Sequence, residues 1–314
     1  MPPPIPHKDV SSPIKSKTKG SSSIASRNYG ANAKKYYLIV YNVLSTLGWS
    51  YILVRLLLHL SGLTASAPPP SSRATQTAST LLSRFFTSVP LPLLRSTSRS
   101  AGYKAALGKY VHAPKWLQVW LTTLYGRAET TYGAVGPTTA FVQTFALLEV
   151  MHAALGWVRS PVQTTAMQVA SRLYLVWGVV EQFDSARTSP LYASMVFAWS
   201  LTEVIRYSFY ALSLLSYEPS FLLYLRYTTF YVLYPLGAGS EAFVNYATLP
   251  ASSPLPTPSS WARGMWGVMD YIRGALFLIW WPGLYVMYTY MIKQRKKVLG
   301  TGPGYRIGAK PKTR

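Results

Sequence analysis

The chain has 314 residues, of which 49% are hydrophobic and only 13% are charged, whereas ordinary soluble domains contain about 25% charged residues. The formal net charge is +22, but the basic residues flank apolar segments, which favours lipid head groups over nucleic acid as their partner. Because the sequence contains no cysteine, it excludes disulfide bonds, thiolate nucleophiles and cysteine-ligated metal sites.

The amino-terminal segment, residues 1–35, is rich in Pro, Ser and Lys and has no apolar core of a signal peptide. We therefore predict a disordered cytosolic tail there. The first long apolar stretch follows at 37–60 and is interrupted only by Asn42 and Arg55. About 20 apolar residues cross a bilayer, so this stretch is predicted to be the first membrane span.

A Ser, Pro and Arg-rich insert at 61–137 separates this span from the next. Its two weaker apolar patches, 80–95 and 116–125, are predicted to be interfacial or re-entrant. Five further apolar segments then follow, at 138–158, 161–180, 190–215, 220–237 and 269–292. The predicted fold class is an all-α membrane protein, a polytopic bundle of about six transmembrane helices with disordered termini, whose membrane domain covers 36–293.

The distribution of charge predicts the orientation of this bundle. An even number of spans places the amino-terminal tail and the basic tail at 294–314 together, and their lysines and arginines favour the cytosol. The basic insert fits less well, because six spans place it on the opposite side. The last five residues, KPKTR, put Lys310 and Lys312 in the K-x-K-x-x pattern of retrieval to the endoplasmic reticulum. We therefore expect a multi-pass protein of the endoplasmic-reticulum membrane.

Ionisable residues inside apolar spans are costly and are functional candidates by default. In this sequence they are Arg55, Glu149, His152, Arg172, Glu203, Arg206, Arg226, Glu241, Asp270 and Arg273. Glu149 and His152 lie on one helical face, and their spacing suits either a bridged metal or a hydrogen bond between helices. A di-metal site needs a second such motif, and the chain has only four histidines, so the hydrogen bond is preferred and no metal is expected.

Glu203 and Arg206 lie three residues apart, on one face with two tyrosines, Tyr207 and Tyr210. This arrangement is consistent with an internal ion pair that orients helices, and equally with a lining for a substrate cavity. The spacing alone leaves both interpretations open.

The segment LRYTTFYVLYPLGAGSE, residues 225–241, combines apolar and reactive side chains. Tyr234 and Glu241 are seven residues apart, nearly two turns, so both point the same way and lie about 10 Å apart along an ideal helix. Pro235 and Gly237 lie between them, and a kink or unwinding there would shorten the distance. Arg226 lies about 80° around the same helix and is predicted to line the same pocket. Glu241 is either a catalytic carboxylate or a cap at the end of a span.

Four blocks of the sequence resemble a known family in order and spacing. They are YLIVYNVLSTLGW, QTFALLEVMHAALGWVRS, WSLTEVIRYSFYAL and the segment 225–241, and they are similar to those of the very-long-chain (3R)-3-hydroxyacyl-CoA dehydratases, also described as protein-tyrosine-phosphatase-like. The pattern R-Y-x-x-F-x-x-L-Y-P-x-G-x-x-x-E is specific. The long insert and the extended amino-terminal tail depart from the family, and neither contains a motif.

The resemblance implies loss of water from a very-long-chain 3-hydroxyacyl-CoA to give the trans-2-enoyl-CoA, the third step of fatty-acid elongation. It assigns catalysis to Tyr234 and Glu241, in either acid–base order. Five further residues are expected to bind substrate or support the pair: Arg226, Tyr227, Gly237, Glu203 and Arg206. No cofactor is expected, and the partners implied are the lipid bilayer and the other membrane enzymes of the elongation cycle. A non-catalytic scaffold of those enzymes and a small-solute transporter are the alternatives.

Overall fold

The computed structural model describes residues 20–63, 114–250, 252, 254–255 and 266–300. The regular elements within these ranges are helices: α1 (Gly20–Ser61), α2 (Lys115–Glu129), α3 (Thr131–Thr144), α4 (Leu147–Ala154), α5 (Val162–Leu173), α6 (Asp184–Arg187), α7 (Pro190–Leu214), α8 (Ser220–Arg226), α9 (Phe230–Tyr246) and α10 (Val268–Leu299). A π-helical segment, Tyr174–Val180, continues α5. The all-helical architecture agrees with the predicted fold class.

Three helical stretches are long and apolar enough to cross a membrane. They are Asn32–Ser61, Thr131–Ala154 and Val268–Leu299, and they overlap the predicted spans 37–60, 138–158 and 269–292. The other predicted spans are helical too, but they are interrupted or more polar: the π-helical segment interrupts 161–180, and α7 contains Glu203 and Arg206. Length and composition of the described residues thus support three spans, half the number predicted.

The boundaries of the tails and of the insert differ from the sequence prediction. Helix α1 begins at Gly20, inside the predicted disordered tail, and no proline lies between Pro13 and the span to interrupt the backbone hydrogen bonds of a helix there. At the other end, α10 runs on to Leu299 and makes the start of the basic tail helical. The patch 116–125 lies within α2, whereas the patch 80–95 and both lysines of the KPKTR motif lie outside the described residues.

The predicted single span 220–237 is wrong, because it is two helices joined by a turn. The Leu225 carbonyl oxygen accepts hydrogen bonds from the Thr228 and Thr229 amides at 3.1 and 2.9 Å and from the Thr229 hydroxyl at 2.9 Å. These bonds tighten the chain after α8, and α9 then starts afresh at Phe230 and continues past the predicted end to Tyr246.

Helix α7 lies at the centre of the bundle, where it packs chiefly against α1 and α9. Its fully buried side chains include Met195 and Val196, which join Ile52 and Leu56 of α1 in the apolar core. The middle of α1 lies beside the far part of α7, since the rings of Tyr41 and Tyr207 are 6.0 Å apart.

A polar cluster closes the opposite end of the bundle, near the start of α7. The Tyr132 hydroxyl donates to the Glu181 carboxylate oxygens at 2.9 and 3.0 Å, and the guanidinium of Arg187 lies 5.1 Å from the centre of the Tyr132 ring. Burial raises the pKa of the Glu181 carboxyl, although the Tyr132 hydrogen bond and Arg187 act in the opposite direction. This cluster ties α3 to the segment that follows the π helix.

Candidate active site

Helix α9 carries both members of the predicted catalytic pair. Tyr234 and Glu241 are half-buried, and the helix between them is continuous through Pro235. Unwinding at the proline is therefore not how the two groups approach, and along the axis they are separated by a rise of about 10 Å. Electrostatic interactions connect the Tyr234 phenol to the Glu241 carboxylate and to the guanidinium of Arg172. The two reactive groups belong to one electrostatic cluster.

Two tryptophans hold the Glu241 carboxylate. The indole N–H of Trp199, on α7, donates to Oε1 at 2.6 Å, and the indole N–H of Trp280, on α10, donates to Oε2 at 3.1 Å. Both donors are neutral. Each carboxylate oxygen therefore accepts a hydrogen bond from an uncharged indole N–H.

Gly237 lets α9 approach α7 closely beside this contact. A Cβ atom added at Gly237 would lie 3.3 Å from the Cβ of Ala198, tighter than ordinary packing allows without a shift. Ala198 directly precedes Trp199. The glycine therefore sets the spacing between the helix that carries Glu241 and the helix that carries its nearer hydrogen-bond donor.

Four ionisable side chains from α4, α5 and α7 form a network of alternating charge beside this contact. Glu203, which is 2% exposed, accepts hydrogen bonds from Arg172 and, at 2.6 Å, from Arg206. Arg206 also donates to both Glu149 oxygens, at 2.8 and 2.7 Å. The ion pair of Glu203 and Arg206, one of the two interpretations that their spacing left open, is thus present, and it extends to α4 and α5. Arginines donate hydrogen bonds to both glutamates of the network, whereas the hydrogen bonds described for Glu241 come from tryptophans.

The network reaches the Glu241 site through Arg172. The guanidinium carbon of Arg172 lies 5.1 Å from the centre of the Trp199 ring. The charge of Arg172 also interacts with the Glu241 carboxylate. The indole that holds the carboxylate is thus in contact with a buried cation.

None of the contacts described for Arg226 and Tyr227 reaches Tyr234 or Glu241. Arg226 ends α8 and donates to the Tyr210 hydroxyl at 3.0 Å. Its guanidinium lies 4.8, 4.6 and 5.7 Å from the ring centres of Phe209, Tyr210 and Tyr227. The prediction that Arg226 shares a helix with Tyr234 is wrong because the turn at 227–229 separates α8 from α9, and Arg226 instead packs on the end of α7.

Glu149 and His152 make the contacts between helices that their spacing predicted. The His152 ring nitrogen Nε2 lies 3.1 Å from the hydroxyl oxygen of Tyr37, on α1, while Glu149 binds Arg206 and the Tyr207 hydroxyl. Within the described ranges, no three His, Asp or Glu side chains group as metal ligands.

Sequence reasoning did not assign Trp199, Trp280 or Arg172 to the site. The sequence did mark Arg172 as a functional candidate, because an arginine inside an apolar span is costly and usually functional. No local pattern selects Trp199 or Trp280, since the chain has ten tryptophans and indoles are common in membrane proteins. Their role depends on contacts across 42 and 39 positions of sequence.

Comparison with known proteins adds to this geometry. The family model described as "Protein tyrosine phosphatase-like protein, PTPLA" matches residues 143–301, half of the chain. The chain belongs to this family. The matched part contains Tyr234, Glu241, both tryptophans and the ion network. Phosphatase chemistry through a cysteine does not apply to this member of the PTPLA family, which contains none.

Relatives in the PTPLA family have names that state an activity. A Caenorhabditis elegans protein named very-long-chain (3R)-3-hydroxyacyl-CoA dehydratase is 44% identical over 60% of this chain and 90% of its own length. A Schizosaccharomyces pombe protein, named a probable dehydratase of the same kind, is 42% identical over 58% of this chain and 86% of its own. The human very-long-chain (3R)-3-hydroxyacyl-CoA dehydratase 2 is 36% identical over 55% and 70%. No solved structure matches the chain.

Proposed function

We propose that this chain removes water from very-long-chain (3R)-3-hydroxyacyl-CoA to give trans-2-enoyl-CoA in the fatty-acid elongation cycle. The dehydratase names of its relatives support this activity. The structural observation that carries the proposal is a half-buried carboxylate, Glu241, whose described hydrogen bonds come from neutral donors and which interacts with a phenol on the same helix. These two groups suit the two proton transfers of a dehydration.

Glu241 acts as the base and Tyr234 as the acid in the proposed reaction. The carboxylate takes the proton from C2, the electrons of that C–H bond form the C2–C3 double bond, and the C3–O bond breaks. The Tyr234 hydroxyl protonates the departing oxygen, which leaves as water. Glu241 then releases its proton to solvent and the phenolate takes one up, which restores both groups. Arg172 stabilises the transient phenolate, since its charge acts on Tyr234.

The other predicted site residues take supporting roles in this proposal. Glu203 and Arg206 hold α4, α5 and α7 in register through their ion pairs, and Gly237 sets the approach of α9 to α7. Arg226 and Tyr227 lie at the entrance, where a cation on an aromatic surface suits the phosphates and adenine of CoA.

The substrate enters from the cytosolic end of a six-span bundle. Arg226 lies on the end of α7, Arg295 near the end of α10 lies 5.4 Å from the Tyr231 ring centre, and Tyr41, six residues after Lys35, contacts Tyr207. These contacts gather the basic ends of the chain on one side, which the charge rule assigns to the cytosol. Helix α9 runs inward from there, so an acyl-CoA meets Tyr234 before Glu241.

The membrane of this proposal is that of the endoplasmic reticulum, where the other elongation enzymes are the expected partners. The K-x-K-x-x pattern of Lys310 and Lys312 supports this assignment. Changing both lysines to Ser should let a reporter that carries residues 294–314 reach later compartments, as followed by its glycan processing. Unchanged retention would remove the motif from the argument, and a reporter with the wild-type tail serves as the control.

The catalytic assignment is tested by Glu241→Gln and Tyr234→Phe in purified full-length protein. Glu241→Gln preserves size but removes the base, and Tyr234→Phe preserves the ring but removes the proton donor. Each should convert 3-hydroxyacyl-CoA to enoyl-CoA at least about a hundredfold more slowly, with yield and thermal stability close to wild type. The double variant should be barely slower than either single variant, because the two groups act as a unit.

Tyr231→Phe and Glu218→Gln are the matched controls. Tyr231 is an exposed tyrosine of the same helix, and Glu218 is an exposed glutamate outside it, so both variants should dehydrate at the wild-type rate. If Glu241→Gln folds and dehydrates near the wild-type rate, the assignment of this carboxylate is wrong. If the wild-type protein shows no dehydratase activity, the non-catalytic scaffold becomes the better explanation.

A further inference from the structure

The two indoles that meet at Glu241 come from helices on different sides of it. Trp199 lies on α7 and Trp280 on α10, and each donates to a different oxygen of the carboxylate, at 2.6 and 3.1 Å. We propose that Trp199 and Trp280 are positioning residues that hold Glu241 in the orientation from which it removes the C2 proton. This inference rests on the proposed function of the same site.

Two donors on different oxygens fix a carboxylate more completely than one. A single hydrogen bond leaves the group free to rotate about its Cγ–Cδ bond, whereas donors on both oxygens define its plane. An ionised carboxylate offers about four acceptor positions on its two oxygens. Each indole occupies one, so a lone pair remains on each oxygen to receive a proton. Positioning of this kind supports catalysis because a misplacement of 1 Å costs about a hundredfold in rate.

The surroundings of the two indoles make Trp199 the stronger donor. Trp199 is 2% exposed, and the Arg172 guanidinium over its ring draws electron density from the indole and polarises its N–H. Trp280 is less buried and its hydrogen bond is longer. We therefore expect loss of the Trp199 donor to cost more activity than loss of the Trp280 donor.

Steady-state kinetics of Trp199→Phe and Trp280→Phe in detergent test the positioning role. Each variant should lower kcat by about tenfold to a hundredfold and leave KM within about twofold, with Trp199→Phe the slower. The matched control is Trp177→Phe, which loses an indole hydrogen bond of 3.1 Å to the Thr144 hydroxyl outside the site. It should dehydrate at the wild-type rate.

A spectroscopic measurement tests the contact independently of activity. In protein labelled with 5-fluorotryptophan, the fluorine resonances of the two indoles are assigned by their loss in the single Trp→Phe variants. Glu241→Gln leaves one carboxyl-derived oxygen as an acceptor in place of two, so at least one of the two resonances should shift. The resonance of Trp177 should not move.

The outcomes separate the two proposals. If both indole resonances stay in place, or if Trp199→Phe and Trp280→Phe match Trp177→Phe in kcat, the positioning role is wrong, while a slow Glu241→Gln variant still supports the proposed function. If Glu241→Gln dehydrates at the wild-type rate, the catalytic role of Glu241 fails and the positioning role fails with it, even where the resonances shift.

Discussion

Glu203 compensates the charges of two arginines from a position with almost no access to solvent. It accepts hydrogen bonds from Arg172 and Arg206, so the loss of its charge removes the carboxylate partner of Arg172 and one of the two carboxylate partners of Arg206. Breaking a buried ion pair by removing one partner is strongly destabilising, whereas the intact pair contributes little net stability. The role of Glu203 is therefore to offset the free-energy cost of burying the Arg172 and Arg206 charges.

Glu203→Gln should lower the free energy of unfolding by about 3 kcal/mol, because one amide oxygen replaces a charged acceptor shared by two arginines. Chemical unfolding of the purified protein in detergent measures the change. Glu218→Gln is the control: Glu218 is exposed and accepts a hydrogen bond from the Ser213 hydroxyl at 2.8 Å, so its loss should cost less than about 0.5 kcal/mol. Equal losses in the two variants would show that the buried network does not carry this charge balance.

Helices α7 and α9 form the packing unit on which the site depends. One supplies Trp199 and Glu203, and the other supplies Tyr234 and Glu241. Their spacing is set at Gly237, where a side chain would press on Ala198. A shift of α9 of a few tenths of an ångström would lengthen the 2.6 Å hydrogen bond from Trp199 to Glu241.

Gly237→Val should therefore reduce kcat at least about tenfold through misplacement of the carboxylate. Gly239→Val is the matched control on the same helix, since a Cβ added at Gly239 meets no atom within 4 Å. Both changes remove a glycine from α9 and replace it with the same β-branched residue, so propensity effects cancel between them. Equal rates in the two variants would contradict the role of the close approach at Gly237.

The bundle as a whole is expected to place the end of α1 and the chain's carboxyl terminus on opposite sides of the membrane. Helix α1 crosses once and ends at Ser61, and the six spans proposed above would return the carboxyl-terminal tail to the side on which α1 starts. The chain contains no cysteine, so single introduced thiols report their side without a background signal.

An impermeant maleimide applied to sealed microsomes should label Thr301→Cys at once, and Leu63→Cys only after the membrane is permeabilised. Leu63 is 78% exposed, so access within the folded protein does not limit its labelling. The cysteine-free wild-type protein is the control. Labelling of both positions before permeabilisation would contradict an even number of spans and, with it, entry of acyl-CoA from the basic end.

Local composition and spacing were sufficient for several features of this protein. A scarcity of charge with long apolar stretches predicts a helical membrane protein, because unpaired backbone groups are not tolerated in lipid. The block around Tyr234 and Glu241 placed both side chains on one helix, since a spacing of seven residues nearly completes two turns. The spacing of three residues also placed Glu203 and Arg206 on one face, which made their ion pair one of two interpretations.

Tertiary structure decided the features that join residues distant in sequence. The break between Arg226 and Tyr234 arises from hydrogen bonds to one carbonyl group, Leu225, which hydropathy does not register. The donors to Glu241 come from helices 42 and 39 positions away, and no local pattern distinguishes them from the other tryptophans. Periodicity determines which face of a helix is polar, whereas the packing of α7, α9 and α10 determines which groups meet on that face.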